Sequence, residues 1–270
     1  MRNLNIGHGK SGRSLKFAII GKGFIFDRHV QAIEGVGGQV LFTCDIDETK
    51  NPNFTDWLEM FNDPRFDEVD AVVIAAPNYL HAPITREALL RGKKVLCEKP
   101  LSIGDTKGMG GVFTVMQLRH HPELLKLNKP KEITVTAKMF RDEVYWDSWK
   151  GNDVKSGGIL YNLGVHYVDL AVFLLGDSWE IETVEKSKKK ITARVRFGES
   201  VADFHIEVVD SREEQGRSLQ ADGREIVLSN QDNLSYEDLH TAVYKEFVAG
   251  RGVSLEEAGK SLKLIKAILQ

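Results

Sequence analysis

An apolar run followed at once by a glycine-rich turn constrains the fold of this chain more than any other feature. The run is Leu15-Lys16-Phe17-Ala18-Ile19-Ile20 and the turn is Gly21-Lys22-Gly23. A short, nearly uninterrupted apolar run is typical of a strand buried on both faces of a parallel sheet. Two glycines between such a strand and a helix let the backbone turn tightly and approach a phosphate closely. The pattern predicts the first strand, turn and helix of a dinucleotide-binding fold.

Strand-like and helical patterns then alternate along the first part of the chain. Further strands are expected at 39–45, 69–75, 94–97 and 112–116, and helices at 26–33, 54–61 and 82–91. Alternation at this spacing is typical of βαβ units that build a parallel sheet.

The pattern changes beyond residues 121–131. A strand is expected at 133–139 and a buried helix at 156–175. Strictly alternating runs at 191–197 and 202–208, separated by Gly198, predict an antiparallel hairpin. Helices are expected at 236–247 and after the capping box that begins at Ser254.

We therefore predict an α/β protein with two domains. A Rossmann dinucleotide-binding domain is expected at the N-terminal end, followed by an α+β domain with a mostly antiparallel open sheet. The predicted boundaries are a flexible leader over 1–14, the Rossmann NAD-binding domain over 15–121, and a substrate-binding and oligomerisation domain over 122–270.

Composition and charge narrow the functional classes. The 270 residues carry a formal net charge of −3, so there is no basic field to attract nucleic acid. No apolar run approaches the roughly 20 residues of a membrane helix, and no signal-peptide pattern is visible. Cys44 and Cys97 fall in strand-like runs, which predicts buried, reduced thiols. We expect a cytoplasmic protein that acts on a small molecule, without nucleic acid, membrane or metal.

Two further features support a dinucleotide site. Asp45 ends the second strand, where a carboxylate accepts hydrogen bonds from the ribose of NAD and repels the 2′-phosphate of NADP. The loop Ala76-Pro77-Asn78-Tyr79-Leu80-His81 follows the third strand, at the carboxyl edge where α/β proteins bind ligands. Phe26 replaces the third glycine of the fingerprint, so the turn alone is a weak signal. Asp45 could also be a simple turn residue and Asn78 a helix cap.

Two side chains outside the turn could carry chemistry. Lys99, within Glu98-Lys99-Pro100-Leu101, stands at the end of a strand, where it can reach a reacting hydroxyl. His166 follows Asn162 by four residues, so both share one face of the predicted apolar helix. A neutral imidazole can take the proton of an alcohol as hydride leaves. A buried histidine is more often a satisfied core residue, but its pairing with Asn162 favours a role in the reaction.

Together these motifs resemble the Gfo/Idh/MocA family of nicotinamide-dependent sugar oxidoreductases, over residues 15–269. The general marks are Gly21-Lys22-Gly23 with His29, the loop 76–81 and the motif 98–101. Residues 117–122 and 145–166 are similar to the nucleotide-sugar branch of that family, the UDP-N-acetylglucosaminuronate 3-dehydrogenases.

The resemblance implies an NAD-dependent enzyme of surface-polysaccharide sugar biosynthesis. Its reaction would oxidise the C3 hydroxyl of UDP-N-acetylglucosaminuronic acid (UDP-GlcNAcA) to a ketone. Lys99 and His166 would hold that hydroxyl, one of them would take its proton, and Asn162 would orient the sugar. The implied cofactor-binding residues are Gly21, Gly23, Phe24, Ile25, Asp45, Pro77, Asn78, His81, Glu98 and Lys99. The implied substrate-binding residues are Gln117, Arg119, Lys150, Asn162 and His166, of which the cations suit a carboxylate or a diphosphate.

The resemblance also implies a homo-oligomer, a dimer or tetramer, joined through the C-terminal sheet. The chain departs from the family pattern at 102–111, which is too short for the crossover helix found there in family members. Parallel neighbours usually need a dozen or more residues to connect. Either a glycine-rich tether spans the edge or the strand order changes. The second sheet also looks abbreviated after Phe197.

Two other functions stay open on the sequence alone. The chain could be a dehydrogenase of another sugar or polyol, although the segment 145–158 argues against it. It could also be a non-catalytic member that binds NAD or a sugar, which the shortened edge and Phe26 motivate.

Overall fold

The computed structural model describes residues 13–228 and 236–270. Most of the predicted leader, 1–14, therefore lies outside the described residues. Its last two positions contact the first sheet. Arg13 pairs with Asp70 at 2.7 Å, and the Ser14 hydroxyl donates to the carbonyl oxygen of Gly37.

The first sheet has the expected parallel core. Its strands are Lys16–Ile20 (β1), Gln39–Cys44 (β2), Ala71–Ile74 (β3), Lys94–Cys97 (β4), Val112–Thr114 (β5) and Val253–Ser254 (β12). Their order is β12-β5-β4-β3-β1-β2, with every pair parallel except β12 with β5. All four residues of β3 are buried, as expected for a strand covered on both faces.

Helices cover both faces of this sheet. They are Phe26–Gly35 (α1), Trp57–Asn62 (α2), Asn78–Leu90 (α3) and Tyr236–Val248 (α8), with short 3₁₀ turns at Glu48–Lys50 and Pro64–Glu68. One face packs Phe17 and Ile19 against Tyr244 and Phe247 of α8. α2 begins three residues later than expected because the segment before Trp57 pairs with the end of β2.

The short segment between β4 and β5 contains no helix, as the sequence predicted for 102–111. β4 and β5 remain parallel neighbours, so a glycine-containing tether makes the connection and the strand order is kept. Leu101 and Met109 are both fully buried within it. These two side chains anchor the tether to the core where a helix would otherwise pack.

The second sheet confirms a mostly antiparallel open sheet. Its strands are Glu132–Phe140 (β6), Glu180–Lys186 (β7), Lys190–Phe197 (β8), Ser200–Val209 (β9), Gly216–Ala221 (β10) and Arg224–Val227 (β11). The order is β11-β10-β6-β9-β8-β7, and only β6 with β9 is parallel. The hairpin predicted at Gly198 joins β8 to β9, and Gly198 has φ +62°. The oligomer contact predicted for this sheet stays a prediction.

Short helices connect the first sheet and its helices (the first unit) to a long buried helix that packs on the second sheet (together, the second unit). They are Gln117–His120 (3₁₀), Pro122–Leu125 (α4), Glu143–Asp147 (α5), Trp149–Gly151 (3₁₀), Asp153–Ser156 (α6), Leu160–Gly164 (π) and Val165–Leu175 (α7). The helix predicted over 156–175 is thus interrupted at Gly157, which has φ +82° and ends α6. By length and composition the stretch Asp153–Leu175 could cross a membrane, but most of it is buried inside the protein.

The C-terminal segment returns to the first sheet. The chain after residue 122 therefore contributes to both sheets, which differs from the predicted domain boundary at 121/122. β12 pairs with β5, and the helix Leu255–Leu269 (α9) packs against both β5 and α7. α9 starts at the predicted capping box, in which Ser254 and Glu257 bond each other's main-chain N–H groups. One continuous core therefore runs from the first sheet through α9 and α7 to the second sheet.

Candidate active site

A cleft of about 900 Å³ opens at the carboxyl edge of the first sheet. The first unit contributes the turn after β1, the end of β2 and the loops after β3 and β4, and the second unit contributes residues 140–150 and 162–166. The strand order reverses at β1, because β2 and β3 lie on its two sides. Ligands of open α/β sheets bind at such a switch point.

The glycine turn fits a pyrophosphate. Gly21 has φ +105°, and a Cβ there would lie 2.3 Å from the carbonyl oxygen of Ala75, so only glycine is accommodated. A Cβ on Gly23 would meet nothing within 4 Å, so the space beside it is open. α1 begins at Phe26, and the first N–H groups of a helix lack partners within it and attract anions. The Phe26 side chain packs against the core, so it leaves this space free.

Asp45 is held firmly at the end of β2. Its carboxylate accepts from the main-chain N–H groups of Lys22 at 2.6 Å and Asp47 at 2.9 Å, and Lys50 Nζ lies 3.1 Å away. The side chain borders the cleft. Lys50 Nζ also lies 3.1 Å from the second carboxylate oxygen, so four hydrogen bonds already occupy the carboxylate, and the predicted contact with a ribose requires Lys50 to move.

Prominent apolar side chains border the same part of the cleft. Phe24 is 85% exposed and Ile46 is 88% exposed. Ile25 and Pro77 line the cleft beside them. Exposed apolar surface of this kind often marks a ligand-binding groove. These four residues suit the flat rings of a dinucleotide, and together with the turn they fit NAD.

His81 uses its ring within the protein. Its Nδ1 lies 2.7 Å from the Pro100 oxygen and its Nε2 lies 2.8 Å from the Ala76 oxygen. Burial lowers the pKa of His81, and the two carbonyl groups oppose that shift. The ring thus ties the loop after β3 to the loop after β4. It shapes the predicted cofactor site, but both of its nitrogens are already occupied.

A buried carboxylate lies directly behind Lys99. Glu98 Oε1 is 3.3 Å from His29 Nε2 and 3.9 Å from His240 Nε2, and His29 Nδ1 is 2.9 Å from the Tyr244 hydroxyl. The contact between Glu98 and His29 is close but poorly aligned for a hydrogen bond. Burial alone would raise the pKa of Glu98, but His29, His240 and Lys99 outweigh it and lower the pKa. Helix α8 therefore helps to place the motif that carries Lys99.

The predicted catalytic side chains meet at the inner end of the cleft. Lys99 Nζ donates to the main-chain oxygen of Asn162 at 3.2 Å. Asn162 lies in the π-helical stretch, where the regular main-chain hydrogen bonds are displaced. His166 follows one turn later and lines the same cleft.

Both catalytic candidates have perturbed proton affinities. Burial lowers the pKa of Lys99, Glu98 opposes this, and cations of the second unit add to it. Burial also lowers the pKa of His166 well below 6.5, and the charge of Lys99 adds to the effect. His166 is therefore neutral near pH 7 and able to accept a proton. Among the described residues, its buried Nδ1 has no hydrogen-bond partner.

The Asn162 amide is engaged in a small network. Its Nδ2 donates to the Tyr145 hydroxyl at 2.8 Å, and its Oδ1 accepts from Asn78 Nδ2 at 3.3 Å. Asn78 Nδ2 also donates to the Ser156 oxygen at 2.8 Å. The predicted sugar-orienting role of Asn162 would thus be shared with Tyr145, which lines the cleft. Asn78, predicted to bind the cofactor, also joins the two units.

The predicted substrate-binding residues divide into two groups. Gln117 and Lys150 line the cleft with Asn162 and His166, and the buried Gln117 Oε1 has no partner among the described residues. Lys150 Nζ lies 5.9 Å from the centre of the Trp149 ring. These positions are compatible with substrate contact.

Arg119, which is predicted to bind the substrate, is engaged in this structure with carboxylates of α7 and α9. Its Nε and Nη2 donate to the Asp169 carboxylate at 2.7 and 2.8 Å, and Nη1 lies 3.4 Å from Glu257. Ser261 also donates to Asp169, at 2.6 Å. Arg119 joins α7 to α9, and it is outside the set of described residues that line the cleft. The guanidinium of Arg119 thus pairs with the buried carboxylate of Asp169, which lies 50 positions away in the sequence.

Sequence reasoning missed several residues of the cleft, among them Arg141, Tyr145 and His240. Arg141 follows the alternating strand β6, and its charge at the end of that strand could have singled it out. Tyr145 opens the segment that resembled the nucleotide-sugar branch, which was the available signal. His240 lies in α8, where no motif marks it.

Comparison with known proteins agrees with this architecture. Residues 15–113 match the family model described as oxidoreductase family, NAD-binding Rossmann fold, and residues 123–203 match oxidoreductase family, C-terminal alpha/beta domain. The crystal structure of the WlbA (WbpB) dehydrogenase from Thermus thermophilus in complex with NAD and UDP-GlcNAcA has 29% identity and a TM-score of 0.82, over 95% of each chain.

Curated relatives are matched over about half of their length. The uncharacterized oxidoreductase YdgJ of Escherichia coli is 28% identical over 193 residues, which are 60% of this chain and 54% of that protein. The inositol 2-dehydrogenase/D-chiro-inositol 3-dehydrogenase of Lactiplantibacillus plantarum is 26% identical over 189 residues, 61% of this chain and 53% of that protein. The chain belongs to the Gfo/Idh/MocA oxidoreductase family, with its NAD-binding Rossmann domain and its C-terminal α/β domain.

Proposed function

We propose that this protein oxidises a sugar hydroxyl to a ketone with NAD⁺, and that the hydroxyl is the C3 hydroxyl of UDP-GlcNAcA. The observation that carries the proposal is the position of Lys99 and His166. Both line the cleft that also contains the glycine turn at Gly21 and Gly23. A proton acceptor, a cation and a dinucleotide site in one cleft are the groups that alcohol oxidation requires.

In this reaction the carbinol C–H bond breaks as a hydride departs, and the O–H proton is transferred to a base. NAD⁺ bound at the glycine turn would supply the hydride acceptor. His166, neutral near pH 7, accepts the hydroxyl proton as the C=O bond forms. The Lys99 ammonium lies beside the substrate oxygen and stabilises the negative charge that develops on it. The hydrogen bond to Asn162 fixes Lys99 in that position.

The nucleotide-sugar assignment has separate support. The Thermus thermophilus dehydrogenase, solved with NAD and UDP-GlcNAcA, matches this chain over 95% of both proteins at 29% identity. In this chain, the side chains of Gln117, Tyr145 and Lys150 line the same cleft as the catalytic pair. A substrate larger than a single sugar ring would use that additional surface.

A comparison of substrates tests the proposal. Purified protein with NAD⁺ is incubated with UDP-GlcNAcA, UDP-N-acetylglucosamine (UDP-GlcNAc) or myo-inositol, and the reduced nicotinamide is measured together with the mass of the sugar product. We expect a product two mass units lighter from UDP-GlcNAcA, with Lys99→Ala as the inactive control. Faster oxidation of myo-inositol would assign the protein to free polyols instead. Cofactor binding without turnover of any substrate would indicate a non-catalytic member of the family.

A further inference from the structure

Two cations line the cleft beside Lys99 and His166. They are Arg141 and Lys150, and both are partly buried. Their charges reach Lys99, whose pKa they lower in addition to the effect of burial.

Arg141 is held close to the reacting groups. Its guanidinium lies 5.3 Å from the centre of the Tyr145 ring, and its Nη1 donates to the Phe140 oxygen at 2.6 Å. The Tyr145 hydroxyl accepts from Asn162 Nδ2, and the main-chain oxygen of Asn162 accepts from Lys99. One aromatic ring and one asparagine therefore separate the guanidinium from the catalytic ammonium.

These cations lack the partners that other buried cations of the chain have. Among the described side chains, no carboxylate lies within 4.0 Å of a charged nitrogen of Arg141 or Lys150. Arg119, by contrast, forms a two-bond pair with Asp169.

Asp142 carries a charge that partly compensates Arg141 and Lys150. Its Oδ1 accepts a hydrogen bond from the main-chain N–H of Tyr145 at 3.0 Å, so Asp142 caps the start of α5. Its charge opposes the lowering of the Lys150 and Arg141 pKa values by burial, but the net direction for both remains downward. Among the described residues that line the cleft, six are Lys or Arg and three are Asp or Glu, so the cleft keeps an excess of positive charge. Partly buried cations that repel one another are unfavourable unless an anion joins them.

We propose that Arg141 and Lys150 form a subsite for a substrate carboxylate beside the reacting hydroxyl, and that this subsite makes the protein select sugar acids over neutral sugars. This inference rests on the proposed function, since it places a sugar in the cleft. The planar guanidinium of Arg141 can bind both oxygens of a carboxylate, which adds geometric selectivity to the charge. A diphosphate is the competing anion, and the test separates the two.

The test compares two substrates that differ only at C6. UDP-GlcNAcA carries a carboxylate there, and UDP-GlcNAc carries a hydroxymethyl group, while both keep the diphosphate. We expect Arg141→Gln to lower kcat/KM for UDP-GlcNAcA by about 10- to 100-fold, as for a hydrogen-bonded charge pair, and to change the value for UDP-GlcNAc by less than about 3-fold. Lys150→Gln should act in the same direction. Equal losses for both substrates would assign the cations to the diphosphate and overturn the proposal.

A matched control is available on the surface. The Arg65 guanidinium lies 5.3 Å from the centre of the Phe42 ring, as Arg141 does from Tyr145, but it is exposed in the first unit. Arg65→Gln removes the same charge and should leave the ratio of kcat/KM for the two substrates unchanged.

Equilibrium binding separates this inference from the proposed function. Each sugar nucleotide is titrated by calorimetry into the protein saturated with NADH, in wild type and in Arg141→Gln. Preferential binding of UDP-GlcNAcA that is lost in the variant supports the subsite even if no turnover occurs, in which case only the proposed reaction fails. Equal affinity for the two sugars, or binding of neither, overturns the subsite.

Discussion

The ammonium nitrogen of Lys99 lies 3.2 Å from the main-chain oxygen of Asn162. Lys99 follows β4 of the first sheet, and Asn162 lies in the π-helical stretch that precedes α7. The catalytic end of the cleft is therefore assembled only when the two units are packed together. The continuous core through α7 and α9 provides that packing.

Removal of either catalytic side chain should abolish most of the turnover. We expect Lys99→Ala and His166→Ala each to lower kcat by about 10²- to 10⁴-fold, because proton transfer and positioning contribute on that scale. NAD binding, measured by calorimetry, should change little. Lys94→Ala, at the exposed start of β4, is the control. Near-normal turnover in both catalytic variants would refute their assignment.

The acid limb of the pH profile should lie below the ordinary pKa of imidazole. Burial lowers the pKa of His166 well below 6.5, so the ring stays neutral as the pH falls through 6.5 and accepts protons until its own pKa is reached. Because kcat/KM reports the free enzyme, its acid limb should have a midpoint under 6.5. A midpoint at or above 6.5 would contradict a neutral, buried base. His205→Gln, an exposed histidine of β9, should leave the profile unchanged.

Substitution of Gly21 should disturb both folding and cofactor binding. In Gly21→Ala the new methyl group would lie 2.3 Å from the Ala75 oxygen at φ +105°, so the turn must move. We expect a loss of roughly 1–3 kcal/mol in the free energy of unfolding, and weaker NAD binding. Gly259→Ala, in the middle of α9 with open space around it, should instead stabilise by about 0.5–1 kcal/mol. Denaturant titration measures both changes in stability. An unchanged free energy of unfolding in Gly21→Ala would refute the close approach of Gly21 to the Ala75 oxygen.

We expect Arg119 to stabilise the fold rather than to bind the substrate. Arg119→Met leaves the carboxylate of Asp169 buried with Ser261 as its remaining partner, and we expect a loss of roughly 3–5 kcal/mol in the free energy of unfolding. The double variant Arg119→Met/Asp169→Leu should recover part of that loss, because it removes the unpaired charge. At temperatures where Arg119→Met is folded, its KM for the sugar should match that of wild type. A raised KM without loss of stability would restore the substrate-binding interpretation.

The cofactor half of the site was predictable because its signals are local. Gly21, Asp45 and Lys99 each stand at the end of a buried strand, and parallel strands bring those ends to one edge. The ion pair of Arg119 could not be predicted because its partner, Asp169, lies within an apolar helix 50 residues away. Only packing reveals such a pair.

Other parts of the fold lacked any sequence signal strong enough to use. β12 has only two residues, Val253 and Ser254, so its return to the first sheet could not be read from a pattern. The π-helical turn that presents the Asn162 oxygen to Lys99 has no marker in the sequence pattern. The network among Asn78, Tyr145 and Asn162 likewise joins segments that are remote in the sequence.

Formation of NADH in a single turnover tests the central claim most directly. Protein at a concentration equal to that of NAD⁺ is mixed with excess UDP-GlcNAcA, and absorbance of the reduced nicotinamide is followed in wild type and in Lys99→Ala. The account predicts a rise in the wild type that approaches one NADH per site and a rise at least about 100-fold slower in the variant. No NADH from a wild-type protein that demonstrably binds both NAD⁺ and UDP-GlcNAcA would contradict the account.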